Sequence, residues 1–219
     1  MAAQMIHLVS AAISYDIPGA SQKVVLYPTT IDLPVDRRMA VIGPKRHGKS
    51  VFLRLLSGAE TPSVGQVISR ARLSPVIRAG AIFDRRLTIF DNIRFFARML
   101  NIDAEQLALT VMSVCGRDGG MSESRAGETE DQRRAAELAL LCILPFDCYL
   151  ADEISYIPEP GRLGLFKAAA RQRAGIIFAT NQKQLVRSYA DCAIVIRDKT
   201  LYPFSDVEEA IAFNERRPR

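Results

Sequence analysis

The stretch Met39-Ala40-Val41-Ile42-Gly43-Pro44-Lys45-Arg46-His47-Gly48-Lys49-Ser50-Val51-Phe52-Leu53-Arg54-Leu55-Leu56 decides the fold. Its first four residues are an apolar run suited to a buried strand, and Val51 to Leu56 read as a helix stopped near Gly58. Between them, Gly43-Pro44-Lys45-Arg46-His47-Gly48-Lys49-Ser50 matches the spacing G-x-x-x-x-G-K-[ST]. Glycines let such a turn fold so that successive backbone N–H groups point inward, and the helix that follows adds the positive end of its dipole. Backbone amides from Gly43 through Ser50 and Val51 are therefore expected to wrap the phosphates of a nucleotide such as ATP. The Lys49 ammonium would reach the β- and γ-phosphates, and the Ser50 hydroxyl would ligate Mg²⁺.

Outward from the loop, Ile6 to Ser14 and Val24 to Leu33 read as strands separated by the turn-rich Ile17-Pro18-Gly19-Ala20-Ser21. Leu87 to Leu109 carries apolar residues at helical spacing, and Asp131 opens an amphipathic helix that reaches Leu144 and is ended by Pro145. Cys148 to Ala151, Gly175 to Thr180 and Cys192 to Ile196 are further buried strands. Apolar strands alternating with helices imply an α/β fold of the P-loop NTPase kind, with a mostly parallel sheet flanked by helices. A small antiparallel β part at the N-terminus and a helical subdomain complete the expectation. The basic tail from Asn214 to Arg219 reads as a frayed end.

Composition bounds the function. Of the 219 residues 48% are hydrophobic, enough for a packed core, and no apolar run is long enough to span a bilayer. Met1-Ala2-Ala3-Gln4-Met5 lacks the basic-then-apolar pattern of a signal peptide, which points to a cytoplasmic protein. Cys115, Cys142, Cys148 and Cys192 form no CxxC pair and read as structural thiols. The net charge of +5 suits phosphate ligands or an anionic membrane surface, but scattered basic residues give nucleic acid no specific support.

Downstream of the loop comes Tyr149-Leu150-Ala151-Asp152-Glu153. A carboxylate closing a buried strand beside a phosphate loop can hold magnesium through water, and its neighbour can polarise an attacking water. An Asp-Glu pair also occurs in ordinary solvated loops. Its place behind an apolar strand favours Asp152 as a metal residue and Glu153 as the catalytic base.

Together these segments resemble the ATP-binding subunit of an ABC transporter over nearly the whole chain. Residues 1–219 would form a single domain of that type, with a helical subdomain over about residues 85–145 inserted in the P-loop core. Pro62 to Val67 resembles the family's turn after the P-loop helix. Leu87-Thr88-Ile89-Phe90-Asp91-Asn92-Ile93-Arg94-Phe95 resembles its "LTxxENIRF" segment, and Phe146 to Glu153 its "FDxYLxDE". With Asp206 to Ile211, these point to the branch that exports capsular or other cell-surface polysaccharide in Gram-negative bacteria. The resemblance implies that Tyr15 stacks on adenine, the alternative being a core tyrosine in a strand. It also implies a second ATP-binding subunit, homodimeric or related, and an integral-membrane permease at the cytoplasmic face of the inner membrane, docked by the helical block.

Departures from the family pattern concentrate in the machinery that ATP would need for turnover. Arg46 stands where the family has glycine, so the loop's middle must turn while carrying a side chain, and His47 replaces a small residue. Asp84 stands where a glutamine senses magnesium and the permease. The signature S-G-G-Q appears as Thr129-Glu130-Asp131-Gln132, whose acids would face an anion in the family's dimer. Asn181 replaces the switch histidine and can hydrogen-bond a phosphate without carrying charge. Thr129 and Gln132 remain expected nucleotide contacts, Asp84 a cation ligand and Asn181 a catalytic residue. The leading expectation is a transporter subunit that couples Mg-ATP binding and slow hydrolysis to export of capsular or other cell-surface polysaccharide across the inner membrane. A catalytically weak regulatory or adaptor module of the same fold is the alternative, and a soluble P-loop phosphotransferase comes third.

Overall fold

The computed structural model describes residues 4–19, 21–78, 82–115, 127–157 and 161–216. The described residues of Met1–Arg78, Phe146–Pro158 and Ala169–Arg219 form one compact unit, and those of Ala79–Pro145 and Glu159–Ala168 a second.

In the first unit, β1 (Met5–Tyr15), β2 (Lys23–Pro34) and β4 (Val64–Ser69) form a three-stranded antiparallel sheet in the order β2-β1-β4. A second sheet has the order β5-β6-β7-β3-β8-β9, built from β3 (Arg38–Ile42), β5 (Leu73–Ile77), β6 (Cys148–Ala151), β7 (Gly175–Ala179), β8 (Cys192–Arg197) and β9 (Thr200–Phe204). Its pairs are parallel except β8 with β9. Strands β6 and β7 are buried along their whole length, as continuous apolar runs in a doubly covered parallel sheet must be.

Helix α1 (Lys49–Leu56) follows β3 directly through the glycine loop. It buries Phe52, Leu53, Leu55 and Leu56 in one core with Ile6, Leu8 and Ile13 of β1, Met39 and Val41 of β3, Leu150 of β6 and Ile177 of β7. At about 1.5–3 kcal/mol for each large apolar side chain removed from water, those four residues anchor the helix firmly. The loop preceding it is thereby held at the carboxyl end of the sheet. Helices α6 (Lys183–Tyr189) and α7 (Val207–Glu215) are joined by the bidentate Arg187–Glu208 ion pair and by Lys183–Glu215. Asn214 and Glu215 are thus helical, which corrects the expectation of a frayed tail from Asn214. The remaining expectation for that tail, residues 217–219, lies outside the described residues.

In the second unit the block expected to be helical from Leu87 to Leu109 forms two helices, α2 (Ile89–Leu100) and α3 (Ala104–Val114). Asn101 takes a left-handed conformation that ends α2, and the Asp103 side chain accepts from Gln106 N to start α3. Helix α4 (Glu130–Ile143) begins one residue earlier than expected because Thr129 caps it. Helix α5 (Gly161–Arg171) had no clear signal in the sequence. The segment expected as a turn, Pro62 to Val67, enters β4 at Val64. No helix among the described residues is long and apolar enough to cross a membrane. None of the four cysteines is in a disulfide, and burial pushes the Cys148 thiol up to about 12, in keeping with an inert core thiol.

Candidate functional site

Three neighbouring parallel strands, β6, β7 and β3, end side by side. Gly43 follows β3, Asp152 and Glu153 follow β6, and Asn181 lies two residues beyond β7. Register pairing of Ala151 with Phe178 and of Ala179 with Val41 puts these exits along one edge. Ligands of open α/β sheets bind outside the carboxyl ends of strands, where side chains and loop amides converge.

The phosphate loop has the backbone its sequence demands. Gly43 sits at φ +152°, and a Cβ there would lie 2.4 Å from the Ile196 carbonyl oxygen. Gly48 is left-handed at φ +92° and a Cβ would come within 2.9 Å of a Val25 methyl. Both positions therefore require glycine. Arg46 is also left-handed, at φ 67°, so the strain expected from a side chain in the loop's middle is present. Lys45, Arg46 and Pro44 are exposed, while His47 and Ser50 are half-buried. Ser50 lies in the first turn of α1, and Val51 packs against the core. Ile13, Val25, His47, Gly48, Val51 and Ile196 line a narrow apolar crevice beside the loop.

Lys49 is 8% exposed, and its ammonium donates to the carbonyl oxygens of Gly43 (2.7 Å) and Pro44 (2.9 Å). Loss of water pushes its pKa below the ordinary lysine value, while the negative charges of Asp152 and Glu153 push back. The same electrostatic coupling puts both carboxylates within range of the lysine. Asp152 is 3% exposed, and its Oδ1 is fully buried with no hydrogen-bond partner. A buried carboxylate oxygen left unpaired beside a lysine fits a hydrated divalent cation. Among the described residues no group of three His, Cys, Asp or Glu side chains could form a cage of protein ligands.

Glu153 is left-handed at φ 50° and opens a short 3-10 turn, Ile154–Tyr156. Its Oε2 accepts from the Arg78 guanidinium at 3.3 Å. Asn181 is exposed. Tyr15, at the end of β1, is 37% exposed rather than a core residue, and its hydroxyl donates to Glu60 Oε1 at 3.0 Å. Glu60 in turn accepts from Arg54 of α1. Its ring is thus steadied by α1 through two polar contacts.

In the second unit Asp84 accepts from the backbone N–H and the guanidinium of Arg86. Its own N–H donates to Asn92 Oδ1 at 2.7 Å, and its carbonyl accepts from Asn92 and Arg133. Arg133 is buried and also pairs with buried Glu128 at 2.5 Å, whose other oxygen accepts from Ile89 N at 2.6 Å. Thr129 and Gln132 form a reciprocal capping box. Gln132 N donates to Thr129 Oγ1 (3.2 Å), and Thr129 N donates to Gln132 Oε1 (2.9 Å). Both expected nucleotide contacts therefore support the start of α4, with Glu130 and Asp131 exposed in its first turn. Sequence reasoning missed Arg78, Glu128 and Arg133. Nothing in the sequence sets Arg78 apart from any other arginine, whereas Thr129-x-x-Gln132 did carry a capping signal.

The chain is 24% identical over 201 residues to the capsule polysaccharide export ATP-binding protein CtrD of Neisseria meningitidis, covering 90% of this chain and 92% of that protein. It is 27% identical over 221 residues to the polysialic acid transport ATP-binding protein KpsT of Escherichia coli, covering 95% and 97%. Among solved structures it superposes with TM-score 0.74 on a dimeric ATP-binding cassette in a post-hydrolysis state bound to ADP and Pi, at 13% identity and covering 90% of this chain and 96% of that one. No protein-family model matches.

Proposed function

We propose that this chain is an ATP-binding-cassette ATPase, the ATP-binding subunit of a transporter exporting capsular or other cell-surface polysaccharide across the inner membrane. The observation that carries the nucleotide reading is the loop itself: two glycines that admit no Cβ flank a buried ammonium beside an unpaired carboxylate oxygen. Length agreement along nine-tenths of two polysaccharide-transport relatives supports the choice of cargo class.

In this reading residues 1–219 are a single ATP-binding domain, with the helical part over about 85–145 inserted in the P-loop core. The amides of Gly43 through Val51 hold the phosphates, Lys49 leaves its carbonyl partners for phosphate oxygens, and the Tyr15 face takes the adenine. Magnesium, held by Ser50 and through water by Asp152, would neutralise charge on the phosphates. Within its own unit, Asp84 would serve as a cation ligand on releasing Arg86. Glu153 accepts a proton from water as its oxygen bonds to the γ-phosphorus and the bond to ADP breaks. Asn181 donates to a γ-phosphate oxygen. Thr129 and Gln132 would meet nucleotide on a second subunit, and an integral-membrane permease at the cytoplasmic face would supply the glycan path.

Glu130 and Asp131, exposed where the family presents glycines, favour slow turnover and keep a second reading in play, a nucleotide-binding regulatory module. Purified chain separates the two. Lys49→Ala is expected to lose nucleotide affinity at least ten-fold. Glu153→Gln should retain binding and abolish phosphate release. Tight Mg-ATP binding with a release rate that Glu153→Gln leaves unaltered would select the regulatory module. Failure to co-purify from membranes with an integral-membrane partner would count against transport.

A further inference from the structure

We propose that Arg78 is a positioning residue that restrains Glu153 and slows hydrolysis. The inference rests on the reading of Glu153 as the base. Strands β5 and β6 run parallel, with Ile77 opposite Ala151, and the ladder continues as Asp152 N donates to the Ile77 carbonyl at 2.9 Å. Arg78 and Asp152 are therefore the first residues past the two strand ends, and Glu153 comes next. The left-handed backbone at Glu153 turns the chain there, and the Arg78 guanidinium meets Glu153 Oε2 at 3.3 Å.

A carboxylate acting as general base needs an oxygen free to accept from water. The guanidinium opposes this by occupying Glu153 Oε2. Lys49 also couples to Glu153, but it acts from within the loop, where phosphate would take it from its two carbonyls, whereas Arg78 meets Glu153 from the end of β5. With 54% of the Arg78 side chain and 44% of the Glu153 side chain exposed, the pair is weak enough to open and strong enough to bias the resting position. Arg78 thus engages the oxygen that would accept from water, and whatever draws the guanidinium off releases the base.

The test is steady-state phosphate release by full-length protein carrying Arg78→Gln or Arg78→Lys, with Glu153→Gln as the base-less reference. Arg78→Gln is expected to raise kcat about two- to five-fold with KM for ATP unchanged, the scale of a half-exposed ion pair. Arg78→Lys should remain at the parent rate. Added salt should raise the parent's kcat towards that of Arg78→Gln, which should itself respond little. A kcat that is unchanged or lower in Arg78→Gln, or a gain shared by Arg78→Lys, overturns the restraint. If the parent releases phosphate no faster than Glu153→Gln, the base assignment itself fails and the restraint falls with it. Because Arg78 is exposed, thermal unfolding should match the parent, so a changed rate cannot be ascribed to misfolding.

Discussion

Arg46 is where the loop's sequence and its backbone disagree. A left-handed residue with a Cβ costs about 1–2 kcal/mol, and glycine returns part of that through extra freedom in the unfolded chain. Arg46→Gly is therefore expected to stabilise the protein by about 0.5–1 kcal/mol, read as a rise in thermal midpoint. A fall would mean that the Arg46 side chain makes a compensating contact. Asp152 presents the complementary tension, a buried carboxylate oxygen that lowers stability while fitting a cation. The glycines and Lys49 were legible because their geometry follows from spacing alone. The Arg78–Glu153 pair was not, since it arises from two strand ends 75 residues apart in sequence.

Elements were legible in proportion to how fully the sheet covers them. Strands β3, β6, β7 and β8 are continuous apolar runs because neighbours and helices enclose them. The strands that escaped reading are β4, β5 and β9, each at a sheet edge. Pro75 in β5 and Pro203 in β9 look like strand breakers, yet an edge tolerates a residue with no N–H to donate. In β4 half-exposure erases the alternation that would mark a strand. Helix α4 was legible as an amphipathic helix, but its charged Arg133 is buried against Glu128, Leu87 and Asp84, a partnership that helical spacing does not announce. Arg133→Met should leave the Glu128 carboxylate unpaired and cost about 3–5 kcal/mol. The expected outcome is early loss of α2–α4 helicity on heating, measured by circular dichroism or limited proteolysis; a parent-like melt would show that the pair is dispensable.

At the scale of the molecule, acid tolerance should trace to a few ion pairs that fasten strand starts. Arg38 N and its guanidinium bond the Asp191 carboxylate, tying the entry of β3 to that of β8. Those bonds hold the Asp191 pKa below the usual carboxylate value. A depressed folded pKa contributes stability that is present above the unfolded value, about 3.9, and is lost as pH falls through the folded one. Asp191→Asn should therefore lower the melting temperature at pH 7, with the gap closing as pH falls below the unfolded value. With both partners partly exposed the effect at neutral pH is about 1 kcal/mol or less. A gap that widens on acidification would invert the sign and refute this assignment.

The two carbonyls that engage Lys49 carry a thermodynamic corollary. A lysine anchored to Gly43 and Pro44 cross-braces the turn from within, so on the proposed reading a triphosphate would meet a cradle that already has its curvature. Association would then consume little chain entropy, and its heat-capacity change would reflect mainly the apolar surface that the base covers.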